Sequence, residues 1–361
     1  MGGSDGVASG LGIGTVFLAI AMAGITSSIA VRVVRLNART LGLIDVPNAR
    51  SSHRTPTPRG GGLGVLAGVL VAVGALGVLA PKAVSKNVLI LLACSTAVGT
   101  VGLIDDRTGL SARLRLGLHV SAASLLVLGV GPLPALPLPD PLRVPLGQGW
   151  IAISLTVLWV VAVTNFFNFM DGVDGLAAGQ AVASCVGVVL AGVSADAVGV
   201  AAVVGGASGG FLFHNWPPAR IFMGDVGSGS IGFVLGGLPL LAPPGKRSAA
   251  VLMIAVSLTF FILDPIVTLF RRAIRGEALM KAHREHLYQQ LIPTGTPGRD
   301  VTTSLLAAAT VLSILGAWAY HRAEMSWLAV GASIVLFSIE VICASRARGG
   351  VSATGAKIGL R

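Results

Sequence analysis

Two amides and two carboxylates, Asn165, Asn168, Asp171 and Asp174, recur at every third position of the string N-F-F-N-F-M-D-G-V-D-G-L. On a helix this spacing puts successive members side by side on a slowly spiralling stripe. Carboxylates so placed are oxygen ligands for a hard cation such as Mg²⁺, and the amides can bind a polar substrate. Gly172 and Gly175 weaken the helix where the two acids appear, so the stripe is expected to run out of a helix into a polar loop.

The residues that precede the motif make it unusual. From Ile151 to Met170 the chain is apolar and long enough to cross a bilayer, which takes about 20 residues. The plain reading is a helix end with solvated polar groups, but ionisable clusters at a membrane boundary default to function.

Further polar strings punctuate the chain. Asp45 to Gly62 carries Arg50, His53, Arg54 and Arg59 among prolines and a glycine run, suited either to phosphate oxygens or to anchoring at the membrane surface. Asp105 and Asp106 are adjacent at a span end; they repel unless a cation lies between them, or else one caps a hairpin. In F-M-G-D-V-G-S-G-S, glycines bracket Asp225 and lead into an apolar stretch whose first N–H groups could meet an anion. Phe222 could stack on a base or serve only as an interface anchor. Asp264 sits inside an apolar stretch, where internal pairing and a substrate-facing role are both open. Beyond it, His283, Arg284 and His286 form H-R-E-H with basic neighbours. Two histidines are too few for a zinc site, and phosphate contacts fit them better.

The chain is 53% hydrophobic and 11% charged, against about 25% charged in a soluble domain. An all-α polytopic membrane protein is expected, with about eleven transmembrane helices near 8–31, 63–80, 88–104, 116–131, 151–170, 177–193, 198–213, 228–242, 249–270, 303–320 and 325–345. With the N-terminus outside, 20 of the 26 Lys and Arg residues fall in cytoplasmic segments, as cytoplasmic loops favour. The net charge of +11 then reports topology and anionic membrane lipids, and nucleic acid is not needed to explain it. Most acids fall on the same side, so chemistry belongs on the cytoplasmic face. Cys94, Cys185 and Cys343 show no disulfide or metal spacing. His119, alone near a span start, is expected to be structural.

Taken together, the D-D pair, N-x-x-N-x-x-D-G-x-D-G, F-M-G-D-x-G-S and the basic, His-containing fifth inner loop resemble the polyprenyl-phosphate N-acetylhexosaminyl-1-phosphate transferases, a group within glycosyl transferase family 4. The likeness runs from about Asp45 to Gln290 in one domain over 1–361, with 346–361 as a cytoplasmic tail. The P-N-A-R-S-S-H start and H-R-E-H-L-Y-Q ending are more similar to the branch that initiates O-antigen and other surface polysaccharides than to phospho-MurNAc-pentapeptide transferase.

The resemblance implies transfer of a sugar-1-phosphate from a UDP-N-acetylhexosamine to undecaprenyl phosphate, with UMP released, at the bacterial cytoplasmic membrane. It implies catalytic roles for Asp105, Asp106 and His286, and Mg²⁺, replaceable by Mn²⁺, on Asp225 and Asp171. Asn165, Asn168, Asp171, Asp174, Phe222, His283, Arg284 and Arg59 would contact substrate, and a homodimer is admitted. One departure stands out: Tyr288 and Gln289 occupy places where relatives have histidines. A secondary transporter is the rival from another class, but its site would lie at the bilayer midplane and often between repeats. A CDP-alcohol phosphotransferase shares D-G-V-D-G but not the pattern that should follow it.

Overall fold

The structure, a computed structural model, describes residues 12–47, 55–79, 84–147, 149–278, 285–291 and 297–358. Among these residues, thirteen α-helices account for nearly all regular structure: α1 (Ile13–Leu36), α2 (Gly62–Leu79), α3 (Lys86–Thr108), α4 (Ala112–Val130), α5 (Trp150–Phe169), α6 (Leu176–Ala191), α7 (Ala195–Asn215), α8 (Asp225–Gly237), α9 (Arg247–Ser257), α10 (Thr259–Ile274), α11 (Leu287–Leu291), α12 (Gly298–His321) and α13 (Met325–Ile358). A two-residue ladder pairs β1 (Ile44–Asp45) antiparallel with β2 (Thr57–Pro58).

Local signals set the helix ends. The Ser85, Ser111 and Ser194 hydroxyls accept the N–H groups of Val88, Leu114 and Ala197 at 3.3, 3.3 and 3.0 Å, capping α3, α4 and α7. Gly109, at φ 68°, ends α3 in the left-handed conformation that glycine adopts without strain.

Eight helices are long and apolar enough to cross a membrane, or nine if a bent pair of segments is one span. This is a multi-pass membrane protein. Within the described residues all eleven expected stretches are helical over most of their length, but three are short or broken. The α6 helix has only 16 residues. The stretch expected at 228–242 starts at Asp225 as α8, tightens to a 3-10 turn over Leu238–Leu241, and bends by 118° into the segment ending at Ser257. Pro239, Pro243 and Pro244 withhold the N–H groups a continuous helix would need there. The stretch at 249–270 splits at Leu258 into α9 and α10.

Hydrogen bonds show which ends lie together. At one end the Gly61 N–H reaches the Phe222 carbonyl at 2.9 Å, and the Thr302 hydroxyl reaches the Asp174 carbonyl at 2.8 Å. At the other end Ser194 donates to the Leu241 carbonyl at 2.9 Å and Tyr320 to the Val193 carbonyl at 3.2 Å. The buried Arg247 guanidinium also lies at this second end, spent on the Val130 and Pro132 carbonyls at 3.0 and 3.1 Å. All the acidic motifs therefore share the first end.

The α8 helix forms the centre, buried from Val226 to Gly237 and packed between α3 and α5, with α2 beside it. Small residues permit this closeness. A Cβ on Gly62 would collide with the Gly227 backbone, and one on Gly102 with the Asp225 carbonyl. Gly74, on the same helix as Gly62, has nothing within 4 Å of its would-be Cβ. Gly62→Ala is expected to cost about 1–3 kcal/mol through overpacking, whereas Gly74→Ala should be neutral or slightly stabilising. Melting curves of the two variants in detergent check this; equal transitions would contradict the packing.

Candidate active site

At the shared end, side chains from α3, α4, α5 and α8 line a narrow crevice: Gly102, Arg115, His119, Asn165, Asn168, Phe169, Asp225 and Gly229. Its free volume of about 20 Å³ holds one water or ion. A nucleotide-sugar must therefore lie across its mouth, with only small groups entering.

Asp105 and Asp106 are neighbours in sequence but diverge, because consecutive helical residues point about 100° apart. The Asp105 carboxylate accepts the Leu110 N–H with one oxygen and the Arg115 guanidinium with the other. Asp106, turned about a quarter of the way round α3 from Asp105, is buried. It accepts the Val226 N–H at 3.3 Å, at the start of α8, and lies 3.6 Å from the Arg59 guanidinium. A carboxylate at a helix N-terminus suits both the free N–H groups and the dipole. Asp225 receives Arg115 at 2.7 Å, so one guanidinium nitrogen serves acids from two helices.

The α5 stripe divides as its glycines imply. Asn165 and Asn168 are on the last turns of α5, and Asp171 and Asp174 are in the following loop. Asn168 donates to the Ser228 hydroxyl at 2.9 Å, and Asn165 to the Val161 carbonyl at 2.7 Å. Asp174 has a structural role, accepting the Ala219 N–H at 2.8 Å and so tying its loop to the one before α8. The Asp171 carboxylate receives no hydrogen bond from the described residues. Burial, and then the neighbouring Asp225, Asp106 and Asp174 carboxylates, push it up to about 8.

Among the described residues no three His, Cys, Asp or Glu side chains already stand together as a metal cage. The donor set nevertheless fits a hard divalent cation. Asp105 and Asp225 share one positive group, and Asp171 has like charges around it and no counter-charge of its own. Water and substrate oxygens would complete such a shell.

The other expected residues scatter more widely. Arg59 follows β2 and reaches Asp106. Phe222 uses its backbone to hold the Pro58–Gly61 segment, accepting from Gly61 and donating to the Pro58 carbonyl at 2.9 Å each. His286 is buried against the Phe169 ring, 6.5 Å between centroids, with Nδ1 3.2 Å from an Asp264 oxygen. Asp264 also takes the Thr268 hydroxyl at 2.9 Å, so it is an internal partner. His283 and Arg284 lie outside the described residues. Two cations of that loop are not free for phosphate, because Arg272 and Arg275 each pair with Glu277, both at 2.8 Å, and with Glu285.

Tyr288 and Gln289 occupy the positions at which the family resemblance implies histidines. The Tyr288 hydroxyl donates to the Phe169 carbonyl at 3.4 Å and accepts from Gln289 at 3.2 Å, and a Cβ on Gly172 would strike it. The pair buttresses the α5 end and the acidic loop.

Two crevice residues escape the motif reading. His119 is buried and lines the crevice beside Asn165, with no hydrogen-bond partner for its Nδ1 among the described residues. Arg115 is four residues earlier on α4. The available signal was the pair itself, two polar groups at i and i+4 on one face of an otherwise apolar helix.

Fold and crevice together define a multi-pass helical membrane protein whose carboxylates and amides converge at one membrane boundary. Comparison with known proteins agrees. The glycosyl transferase family 4 model matches residues 88–242. A decaprenyl-phosphate N-acetylglucosaminephosphotransferase of Mycobacterium tuberculosis (strain ATCC 25618 / H37Rv) is 33% identical over 82% of this chain and 83% of that protein. The protein of the same name from Mycolicibacterium smegmatis (strain ATCC 700084 / mc(2)155) is 31% identical over 93% and 89%. The undecaprenyl-phosphate alpha-N-acetylglucosaminyl 1-phosphate transferase of Escherichia coli (strain K12) is 26% identical over 86% of each chain. The chain belongs to glycosyl transferase family 4.

Asp171→Asn removes an ionisable group whose charged form is disfavoured by burial and by the neighbouring carboxylates. Without divalent cation the variant should melt about 2 °C higher than the wild type, the scale of roughly half to 1 kcal/mol in a chain of this size. The rise in melting temperature that Mg²⁺ gives the wild type should shrink or vanish. Melting curves with and without Mg²⁺ decide; an undiminished Mg²⁺ effect would remove Asp171 from the ligand set.

Proposed function

We propose that this protein transfers N-acetylhexosamine-1-phosphate from a UDP-sugar to a polyprenyl phosphate, undecaprenyl phosphate in the first instance, releasing UMP and starting a cell-envelope polysaccharide. The observation that carries this reading is the crevice, where acids from α3, α8 and the α5–α6 loop meet the α5 amides and Arg115. The relatives named above act on polyprenyl phosphates with N-acetylglucosamine, and the chain keeps their extent. Phospho-MurNAc-pentapeptide transfer is not favoured by these relatives.

Both reactants are anions, so the protein must chiefly position them and cancel their charge. Mg²⁺ held by Asp225 and Asp171 would screen the diphosphate. Arg115 and Arg59 add positive charge at the same boundary, and Asn165 and Asn168 offer amides to the nucleotide-sugar. The acceptor phosphate has its second pKa near 6 and is mostly dianionic at neutral pH, so it needs little help from a base. Its oxygen attacks the phosphorus bonded to the sugar, and the bond to the bridging oxygen breaks with its electron pair leaving on UMP. Asp106 is occupied by the Val226 N–H and the Arg59 guanidinium, which supports direct attack over phosphorylation of that aspartate.

An apolar groove of about 290 Å³ runs along α5 from Leu155 to Phe166, walled by Ile262 and Ile266 of α10. Phe166 is next to Asn165, so an isoprenoid chain in the groove would bring its phosphate to the crevice. The acid-bearing end is read as cytoplasmic, in the bacterial inner membrane, because 20 of the 26 cationic residues fall on that side.

Purified protein with a UDP-N-acetylhexosamine should release UMP only when undecaprenyl phosphate is present, and a chelator should stop it. Asp225→Asn should lower turnover at least 100-fold while insertion into the membrane is unchanged; near-normal UMP release would defeat the assignment. Topology has a separate check. With exposed Cys343 replaced, a cysteine at Pro139 should label in intact cells and one at Gly109 only after lysis, and the opposite pattern would invert the reading.

A further inference from the structure

We infer that Arg115 is an exchangeable counter-ion: it neutralises Asp225, one of the acids that would hold the divalent cation, together with Asp105 beside it, and on metal loading it is released to the diphosphate of the donor. The inference rests on the metal reading proposed above and concerns what this chain's own arginine does.

The geometry is that of a point charge. Arginine and carboxylate usually meet as a two-pronged fork, with two nitrogens facing the two oxygens of one acid. Here a single nitrogen, Nη1, takes one oxygen of Asp105 on α3 and one of Asp225 on α8, the latter at 2.7 Å. A bridging metal ion makes that pattern of contact. The side chain comes from a third helix, α4, and is 30% exposed, while the acids it joins are 10% and 31% exposed. It lines the crevice beside His119 and Asn168. Its other guanidinium nitrogens make no hydrogen bond with the described residues, so the fork is unspent.

Two cations cannot share this place. A divalent ion reaching Asp225 brings at least two positive charges within a few ångströms of the guanidinium, and repulsion at that range in a partly buried site is worth several-fold in affinity. Arg115 must therefore weaken metal binding in the absence of donor. Once displaced, it stands at the mouth of a crevice too small for a nucleotide-sugar, where the diphosphate would lie. Phosphate oxygens match the guanidinium fork. Donor phosphates would draw Arg115 away from the acids, so donor and metal should each tighten the binding of the other, a reciprocity that linkage requires.

Mn²⁺ binding to the full chain in detergent micelles, followed by loss of the free-ion electron paramagnetic resonance signal, tests this without turnover. Without donor, Arg115→Gln should bind Mn²⁺ about tenfold more tightly than the wild type. Arg113→Gln, which removes an exposed charge from the same helix, should stay within about twofold, because an exposed charge interacts weakly. Arg115→Lys, which keeps the charge, should not gain. UDP-N-acetylglucosamine should tighten Mn²⁺ binding in the wild type, and Arg115→Gln should lose most of that effect. Equal or weaker Mn²⁺ binding in Arg115→Gln would overturn the exchange, as would the same gain in Arg113→Gln. Absence of Mn²⁺ binding by the wild type would instead overturn the metal reading, and the exchange with it. Monodisperse elution of each variant shows that it is folded.

Discussion

Like charge brought together at a membrane boundary is the constraint on which the rest of the structure depends. Asp105, Asp106, Asp171 and Asp225 approach closely enough to repel, and water is limited where they meet. Three kinds of compensation surround them. Guanidinium groups arrive from β2 and α4, backbone N–H groups from the start of α8 and the turn after α3, and amides from α5. Each compensating group comes from a different element, so helices distant in sequence must end at one level. The close glycine contacts that let α2 and α3 lie against α8 serve this convergence as much as they serve core density.

The apolar bulk and the acidic strings were legible in sequence because both depend on composition over short windows. Spans of some 20 apolar residues stand out whatever their neighbours, and within the described residues all eleven stretches proved helical over most of their length. Their continuity was less visible. The bend after α8 and the break at Leu258 arise where short polar and proline-bearing stretches interrupt a pattern that averages as hydrophobic. The site followed the same rule. Asp105, Asp225, Asn165 and Asn168 were found by spacing and do meet, whereas Asp174 was found by the same spacing and is turned toward Ala219. Periodicity places a side chain on a face, but the tertiary partner decides what it does there.

Arg115 and His119 were harder to see because their importance is created by α4 packing against α5 and α3. The nearest acids in sequence are Asp105 and Asp106, on the preceding helix, and no loop motif marks the pair. The converse holds for Arg272 and Arg275. They form a conspicuous basic run in sequence, yet Glu277 and Glu285 neutralise much of it in the fold. A count of cations therefore overstates the positive charge available to a diphosphate, and the crevice relies on fewer and better-placed groups.

Where the family resemblance implies histidines this chain has Tyr288 and Gln289, and their contacts bear on how that economy works. In this chain the two side chains do not reach toward phosphate; they press on Phe169 and Gly172 and so fix the end of α5 and the loop bearing Asp171. A histidine at 288 would be shorter than tyrosine and would leave the Phe169 carbonyl without its hydroxyl donor. His286 is held between Asp264 and the Phe169 ring. The positive groups near the crevice then come from α4, with Arg115 in its lining, and from the segment after β2, with Arg59 beside Asp106. Division into one wall that supplies charge and another that supplies stiffness follows from these contacts, and it explains how a cavity sized for a single ion can organise two much larger anions at its mouth.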